Sequence, residues 1–299
     1  MTYHLGAGHC TMVRPSRIDR LPGIAEAHIC LGDFNDGACS VDNTISTLTN
    51  GERLQHEALQ RSVPKAPPER RAGSATRSNE YVARLAVSES VRDDAFRLRY
   101  RSYVAGGHIE PNSSGRFKDI YDDMPNASTV VIYDQGAAVA SVRTCTLARG
   151  TDLTSPARDA FRKEVDDLLN RDTHSLFSGR GIEVTRLVRS PEAENNQGLV
   201  FLLYRMAGYI ALCAHSQVHL ACVRENHTPF YRRLGYEPAS ELRAYPGLSC
   251  QMRLMASDRE RYDKVRLAVP VMNPMTGRTG DLSRFFEGGP VTLSVRERE

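Results

Sequence analysis

The sequence predicts a mixed α/β domain in the middle of the chain, and two stretches carry this prediction. In the first, residues 129–133 and 137–147 are strand-like runs joined by Asp134-Gln135-Gly136, a tight hairpin signal. In the second, a β-branched and apolar run, 181–191 (GIEVTRLVRSP), begins at a glycine and ends at a proline, as a buried strand does. A strongly apolar helix of about residues 199–214 follows that strand.

Further segments extend the pattern on both sides. Residues 81–87 (YVARLAV) alternate as a strand does, and Ser88 or Ser90 would cap a helix that runs to about Val104. The other predicted elements are a helix that opens at Ser155-Pro156, a strand at 218–223, a short helix that stops at Gly235 and a final strand at 248–255.

The composition narrows the class of protein. A chain of 299 residues with 40% hydrophobic and 25% charged residues is typical of soluble globular proteins. The net charge of +3 gives no reason to expect a nucleic acid as partner. The N-terminus lacks the apolar core of a signal peptide, and the apolar run 199–214 is interrupted by Arg205 and too short to span a bilayer. We therefore expect a cytoplasmic protein without integral membrane insertion.

Three regions differ in composition. Residues 1–78 are rich in Gly, Ser, Asn, Pro and Arg and end in a linker-like stretch, 63–78, which predicts a largely disordered N-terminal extension. Residues 79–265 contain the predicted strands and helices and form the expected domain. Residues 266–299 are rich in Pro and Gly at their start and are expected to be a loosely attached C-terminal extension.

The cysteines predict neither a disulfide framework nor a metal site. They are seven, an odd number, and no two of them form a CxxC pair. We therefore expect no bound metal, and small buried side chains rather than a catalytic thiol. The seven cysteines are Cys10, Cys30, Cys39, Cys145, Cys213, Cys222 and Cys250.

Two charged residues, Glu183 and Arg186, lie inside the strand predicted at 181–191. Side chains alternate along a strand, so residues three apart point to opposite faces. A β-bulge between them would bring both side chains to one face. The loop and helix N-terminus that follow leave backbone N–H groups available to an anion or a carbonyl oxygen. We expect the active site at this strand.

Arg143 is a third charge inside a predicted strand. A buried guanidinium needs an acidic partner. The long loop before the hairpin, about residues 106–127, offers Asp119, Asp122 and Asp123.

A motif near the end of the domain resembles a known family. Asn226, followed by Phe230-Tyr231-Arg232-Arg233-Leu234-Gly235-Tyr236, resembles the last helix and following strand of the GNAT acyltransferase fold. The resemblance implies an α/β (α+β) fold with a mixed, mostly antiparallel central sheet flanked by helices.

A wider set of residues narrows the resemblance. In chain order they are 98–104 (LRYRSYV), Tyr121-Asp122-Asp123, Arg143 and the pair Glu183-x-x-Arg186. This set resembles the branch of GNAT-fold enzymes that contains acyl-homoserine-lactone synthases and long-chain N-acyl amino acid synthases, over about residues 81–255.

Two departures favour the N-acyl amino acid synthases within this branch. Homoserine-lactone synthases have a tryptophan soon after the first helix, whereas this chain has no tryptophan and carries Gly106-Gly107-His108-Ile109 there. They also usually begin at that helix, whereas here a strand and a long extension precede it.

The resemblance implies a role for each matching residue. Glu183 is the expected base for the attacking amine, and its structural alternative is a salt bridge with Arg186 or Arg143. Tyr231 is the expected proton donor to the departing thiolate, and its alternative is a core aromatic. The residues expected to shape and bind the amine substrate are Arg99, Asp119, Asp122, Arg143 and Arg186.

The implied donor is an acyl thioester, carried either on the phosphopantetheine of acyl carrier protein or on coenzyme A, with no permanently bound cofactor. GNAT pyrophosphate loops are rich in glycine, whereas residues 195–199 read Asn-Asn-Gln-Gly-Leu, which favours the carrier protein. Arg232 and Arg233 would meet its acidic helix, or else be solvated surface. The expected donor-binding residues are Leu187, Val188, Gln197, Gly198 and Asn226.

The predicted function is transfer of a long acyl group from acyl carrier protein to the amino group of an amino acid. Three alternatives remain open at this point: an acyl-homoserine-lactone-type autoinducer synthase, an acetyl-coenzyme A-dependent N-acetyltransferase and a non-catalytic GNAT-fold binding module. A Glu183 side chain that is fully paired and closed to solvent would favour the last of these.

Overall fold

A single large sheet organises the part of the chain that the computed structural model describes, residues 80–171 and 175–295. The extension predicted for residues 1–78 lies outside this part. The sheet order is β6-β8-β5-β4-β3-β2-β1-β9, and β7 pairs with β8 beside it. The strands described are β1 (Glu80–Leu85), β2 (Ala127–Asp134), β3 (Ala137–Ala148), β4 (Arg180–Arg189), β5 (Val218–Val223), β6 (Glu237–Pro238), β7 (Arg243–Tyr245), β8 (Leu248–Asp258) and β9 (Val291–Ser294).

Neighbouring strands are antiparallel except for β4 and β5, which run parallel. The mixed, mostly antiparallel sheet that the resemblance implied is therefore confirmed. The predicted hairpin is also confirmed, because Gln135 and Gly136 between β2 and β3 both have positive φ, 49° and 86°. Positive φ at both central residues defines the type I′ turn, whose twist matches that of the strands.

Six α-helices flank the sheet within the described residues. They are α1 (Glu89–Ala105), α2 (Pro156–Ala160), α3 (Arg162–Asn170), α4 (Gln197–Cys213), α5 (Thr228–Arg233) and α6 (Arg259–Ala268). Ser88 caps α1 as predicted, since its hydroxyl accepts a hydrogen bond from the Val91 backbone N–H. The helix predicted after Ser155 is instead two short helices, because the backbone of the buried Phe161 leaves the helical region at φ −132° and ψ 44°.

Each face of the sheet has its own apolar core. Val142 and Val184 pack with the buried face of α4, including Leu203 and Met206. Leu147, Val218 and Leu220 pack on the other face, against side chains of α2 and α3. Each fully buried aliphatic side chain of this kind contributes about 1.5–3 kcal/mol. No helix of the described residues is long and apolar enough to cross a membrane.

The C-terminal segment corrects one sequence prediction. Residues 266–299 were expected to be loosely attached, but β9 pairs with β1 and extends the sheet by one strand. Phe285, Val291 and Leu293 are buried in the same core as α4. Arg205 of α4 also holds this segment, donating to the backbone carbonyl oxygens of Val271 at 2.7 Å and Arg278 at 2.9 Å. The prediction was wrong because it was based on the Pro and Gly content, which does not show that the apolar side chains of this segment are buried.

The parallel pair β4 and β5 separates along its length. Residues Gly181–Glu183 of β4 pair with Val218–Leu220 of β5, and the register ends there, although β4 continues to Arg189 and β5 to Val223. The unpaired ends of the two strands leave a gap in the middle of the sheet. The candidate active site lies in this gap.

Candidate active site

A cavity of about 550 Å³ lies where β4 and β5 separate. Its wall contains residues 184–190, at the end of β4, and residues 222–224, at the end of β5, with side chains from α1, α4, α5, β7 and β8 around them. The lining is part apolar, as at Val200 and Phe230, and part charged, as at Arg186. Such a cavity can hold a long apolar group and still present ionic groups to a polar one.

The predicted bulge in β4 is confirmed. Ser141 of β3 pairs with Val188, and Arg143 pairs with Thr185, so two residues of β4 lie opposite the single residue Val142. Arg186 has a φ of 52°, a left-handed conformation that costs a non-glycine residue energy and is often found at functional sites. The bulge reverses the alternation and turns Arg186 to the face that carries Glu183.

Glu183 lies behind the cavity wall. Its side chain is fully buried, and both oxygens accept hydrogen bonds: Oε1 from the Tyr245 hydroxyl at 2.7 Å, and Oε2 from the Ala157 backbone N–H at 2.8 Å. The second donor belongs to the first turn of α2, where backbone N–H groups lack helical partners. Neither of the salt bridges considered for Glu183 forms: Arg186 and Arg143 pair with aspartates instead.

The five residues expected to bind the amine substrate form one charge network, in which the three arginines are buried. Asp119 accepts hydrogen bonds from Arg143 at 2.5 and 3.1 Å and from Arg186 at 2.8 and 3.1 Å. Asp122 pairs with Arg99 at 2.6 Å and with Arg143 at 3.0 Å. Arg143 therefore has the acidic partners that its place in a strand required. Of the three candidates, Asp123 instead makes surface ion pairs with Arg92 and Lys118.

Of these five residues, Arg186 alone lies in the cavity wall, and the other four stand behind it. Aromatic rings surround its guanidinium carbon, with centroids at 4.9 Å for Phe117, 5.9 Å for Tyr103 and 5.8 Å for Tyr245. Its Nη2 also donates to the Pro246 carbonyl at 3.0 Å. Its Nη1 is buried and has no hydrogen-bond partner among the described residues. A buried N–H without a partner is costly, which makes Nη1 a candidate donor to an anionic group.

The residues expected to bind the donor divide into two groups. Leu187, Val188 and Gln197 line the cavity, but Gly198 and Asn226 do not. Gly198 lies within the first turn of α4, where an added Cβ would stand 3.2 Å from the Val295 side chain. Asn226 is exposed to solvent.

Tyr231 lines the cavity from α5, as its expected role requires. Burial raises the pKa of Tyr231 to about 12. The hydroxyl is therefore protonated at neutral pH and can donate a proton. Arg232 and Arg233 follow it in the last turn of α5, where both side chains are exposed. Neither arginine has an ion-pair partner among the residues described.

Sequence reasoning missed four aromatic residues of the site. Tyr103 and Phe117 pack on Arg186, Tyr204 lines the cavity from α4, and Tyr245 connects Glu183 to the cavity wall. Residues of this kind look like ordinary core aromatics in a sequence. A weak signal existed for Tyr245, because Pro246-Gly247 marks a turn directly after it.

Metal ligands are not grouped in this site. Among the described residues, no group of three or more His, Cys, Asp or Glu side chains could hold a metal ion.

A comparison with models of known protein families shows which family this chain belongs to. The family model for the N-acyl amino acid synthase FeeM matches residues 94–258. The chain belongs to this family. Membership in the FeeM family makes the protein an acyltransferase, and the matched region contains the cavity, the bulged strand and the charge network. β1 and the C-terminal segment with β9 lie outside the matched residues.

The solved structure of FeeM agrees with the fold, and two further solved structures are weaker matches. The structure of FeeM, an N-acyl amino acid synthase from uncultured soil microbes, has a TM-score of 0.51 and 18% identity, covering 64% of this chain and 98% of that chain. BjaI, a CoA-dependent acyl-homoserine lactone synthase solved with MTA, has a TM-score of 0.46 and 15% identity, covering 63% and 85%. A putative N-acetyltransferase from Lactobacillus plantarum has a TM-score of 0.41 and 14% identity, covering 60% and 97%. A comparison with curated protein sequences gives no match. The fold is GNAT-like.

Proposed function

We propose that this acyltransferase moves a long acyl chain from the phosphopantetheine thioester of an acyl carrier protein to the amino group of an amino acid. The observation that carries the proposal is the cavity between the separated strands β4 and β5. Apolar side chains, residues of the bulged strand and Arg186 all line it, and Arg186 has one N–H group without a partner among the described residues. A thioester and an amino acid need these three features together.

The apolar part of the wall suits the acyl chain. Val184, Leu187 and Val200 line the cavity beside the rings of Tyr204 and Phe230. Each CH₂ group transferred from water to such a surface contributes about 0.8 kcal/mol. An acetyl group would leave most of a cavity of about 550 Å³ empty, which argues for a long chain over an acetyltransferase.

Arg186 suits the carboxylate of the amino acid. Its Nη1 has no protein partner among the described residues, while Asp119 and three rings fix the rest of the guanidinium. A charge-assisted hydrogen bond from this group to a carboxylate would be stronger than one to a neutral oxygen. An acceptor without a carboxylate, such as a simple alkyl amine, should therefore be a poor substrate.

Positive charge around the cavity and on α5 suits the donor. Arg189 and Arg224 bring positive charge to the wall, which Glu194 only partly offsets, and this favours the phosphate of a phosphopantetheine arm. Coenzyme A carries that phosphate as well. The exposed pair Arg232 and Arg233 favours the carrier protein, because acidic carrier surfaces associate with basic patches.

The reaction follows from this arrangement. Glu183 accepts the proton of the ammonium group, and the free amine attacks the thioester carbonyl carbon, forming the C–N bond while the carbonyl electrons move to oxygen. Backbone N–H groups of the bulged strand near Leu187 and Val188 stabilise that oxyanion. The C–S bond then breaks. The thiolate takes a proton from Tyr231, which is restored by the second proton of the nitrogen, so that an amide and a thiol leave.

The direct test is product formation by the purified protein. It would be supplied with acyl carrier protein or coenzyme A thioesters from acetyl to long-chain and with a panel of amino acids, and the products would be identified by mass spectrometry. We expect N-acyl amino acids from long-chain carrier thioesters. Transfer from acetyl-coenzyme A alone would replace the proposal with an N-acetyltransferase, and a lactone product from S-adenosylmethionine would replace it with a homoserine-lactone synthase.

One observation favours the non-catalytic alternative. Glu183 is fully buried and paired at both oxygens, as expected of a binding module. Membership in the FeeM family outweighs this feature, because it makes the protein an acyltransferase. The buried carboxylate nevertheless requires a path for the proton.

A further inference from the structure

A base must exchange protons with its substrate, and Glu183 has no surface in the cavity. The cavity wall contains Thr185 and Tyr245, but not Glu183, whose side chain is fully buried. The only hydrogen bonds of its carboxylate within the described part of the chain come from the Ala157 N–H and the Tyr245 hydroxyl. The Ala157 N–H is a backbone group of α2 and does not give up its proton. Of the two groups that are hydrogen-bonded to Glu183, only the Tyr245 hydroxyl can therefore exchange a proton with it.

We infer that Tyr245 carries the proton between the acceptor amine and Glu183. Tyr245 lines the cavity and donates its hydroxyl hydrogen to Glu183 Oε1 at 2.7 Å, so one residue touches both the substrate space and the base. This inference rests on the proposed function, because it names the route by which that reaction loses its proton.

The surroundings of the hydroxyl fix its orientation. Thr185 Oγ1 lies 3.1 Å from the Tyr245 oxygen, so it can supply a second hydrogen bond to it. Burial and the adjacent Glu183 carboxylate both raise the pKa of Tyr245 well above its ordinary value. Tyr245 is therefore protonated in the resting enzyme. It can pass on a proton only by receiving another, as a relay does.

The proton balance is complete without a further reactant. An N–H bond of the ammonium breaks as a new O–H bond forms at Tyr245, and the original Tyr245 O–H bond breaks as Glu183 becomes protonated. The tyrosine is unchanged after the step, and the freed amine attacks the thioester. After the product leaves, the proton of Glu183 returns through Tyr245 to solvent. The sum is ammonium plus thioester giving amide, thiol and one proton.

The short strand β7 holds the relay in place. Tyr245 is its last residue, and the turn Pro246-Gly247 follows. The Pro246 carbonyl accepts from Arg186, so the same turn fixes the relay residue and the carboxylate-binding residue. Gly247 has a φ of 73°, and a Cβ there would stand 3.3 Å from Arg186 Nη2. The turn therefore couples the position of the substrate carboxylate to that of the relay.

The variant that tests the relay is Tyr245→Phe, which keeps the ring and removes the hydroxyl. With an amino acid as acceptor at neutral pH, we expect kcat to fall by about 10²-fold or more. With aminooxyacetate, which keeps the carboxylate and whose aminooxy group is mostly unprotonated at neutral pH, we expect an enzymatic rate near that of the wild type after subtraction of the uncatalysed rate, because no ammonium proton must be removed. A purely structural role would lower both rates together. Unchanged kcat with the amino acid would overturn the relay.

Tyr262→Phe is the matched control. Tyr262 is a buried tyrosine of α6 outside the cavity, and its hydroxyl has no hydrogen-bond partner among the residues described. The same chemical change there should leave kcat within about twofold. The double variant Glu183→Gln with Tyr245→Phe should be no slower than Glu183→Gln alone, because both changes interrupt one path. Multiplied losses would show that the two residues act separately, against the relay.

A measurement on the wild type does not depend on the folding of any variant. Two protons that move together should give a curved dependence of kcat on the deuterium fraction of the solvent, and a linear dependence would contradict the relay. Failure of the relay is distinct from failure of the proposed function. A wild-type protein that makes no amide from any donor would contradict both the proposed function and the relay. An active wild type with a fully active Tyr245→Phe variant would contradict the relay alone.

Discussion

Asp122 is the carboxylate that joins two buried guanidinium groups, those of Arg99 and Arg143. Burial by itself would raise the pKa of Asp122, but the two arginines outweigh it and lower the pKa to about 2. A folded-state pKa below the ordinary value of about 3.9 stabilises the protein above pH 4. This stabilisation is lost as the pH falls from about 4 toward 2.

Asp122→Asn tests this electrostatic role. At neutral pH the variant should lose about 3–5 kcal/mol of unfolding free energy, because two buried arginines lose a charged partner. The difference from the wild type should shrink by on the order of 2 kcal/mol between pH 4 and pH 2, measured by urea unfolding. Asp123→Asn, which breaks exposed ion pairs, should cost less than about 1 kcal/mol. Equal losses for the two variants would contradict the role of the network.

Individual residues of the site differ in how well the sequence predicts them. The pairing of Arg143 with the acidic loop was predictable, because a charge in a core strand requires a partner. The bulge was predictable because Glu183 and Arg186 would otherwise point to opposite faces. Tyr245 was not, because β7 has three residues and a strand that short has no measurable periodicity. The burial of Glu183 behind the cavity wall could not be predicted either, because it depends on α2, a separate element of the chain.

Long elements were predicted better than short or composite ones. The apolar helix α4 follows from its own sequence, since most of its surface is buried. The C-terminal segment was wrongly judged from Pro and Gly, although Val291-Thr292-Leu293 alternates as a strand does. Its place beside β1 could not be predicted, because pairing between two strands that are far apart in the sequence depends on the assembled sheet.

Phe285→Ala tests whether this segment is part of the core. Phe285 is fully buried and packs on Tyr209 with ring centroids 5.6 Å apart. The substitution should lower the unfolding free energy by about 3–5 kcal/mol, as expected when a core aromatic is removed. Leu267→Ala, at a side chain that is 61% exposed, should change it by less than about 0.5 kcal/mol. A loss below 1 kcal/mol for Phe285→Ala would support the prediction that this segment is only loosely attached.

At the scale of the whole molecule, association with the donor is the property to test. Reversing both charges in Arg232→Glu/Arg233→Glu should raise KM for acyl carrier protein and reduce its dependence on salt, because basic surfaces steer acidic partners. KM for an acyl-pantetheine without the protein should not change. The control is Arg162→Glu/Lys163→Glu on α3, an exposed adjacent pair with the same change in charge. Equal kinetics for both double variants would remove Arg232 and Arg233 from the docking surface.

The central claim is that Glu183 removes the proton of the attacking amine, and Glu183→Gln tests it most directly. The variant keeps the size of the side chain and an oxygen that can accept one of its two present hydrogen bonds. Measured across pH on one preparation, kcat should fall by on the order of 10²- to 10⁴-fold at neutral pH, while the thermal midpoint changes little. The deficit should shrink as rising pH supplies the free amine. A Glu183→Gln enzyme that is fully active at neutral pH would contradict the claim, as would lost stability with unchanged activity per folded molecule.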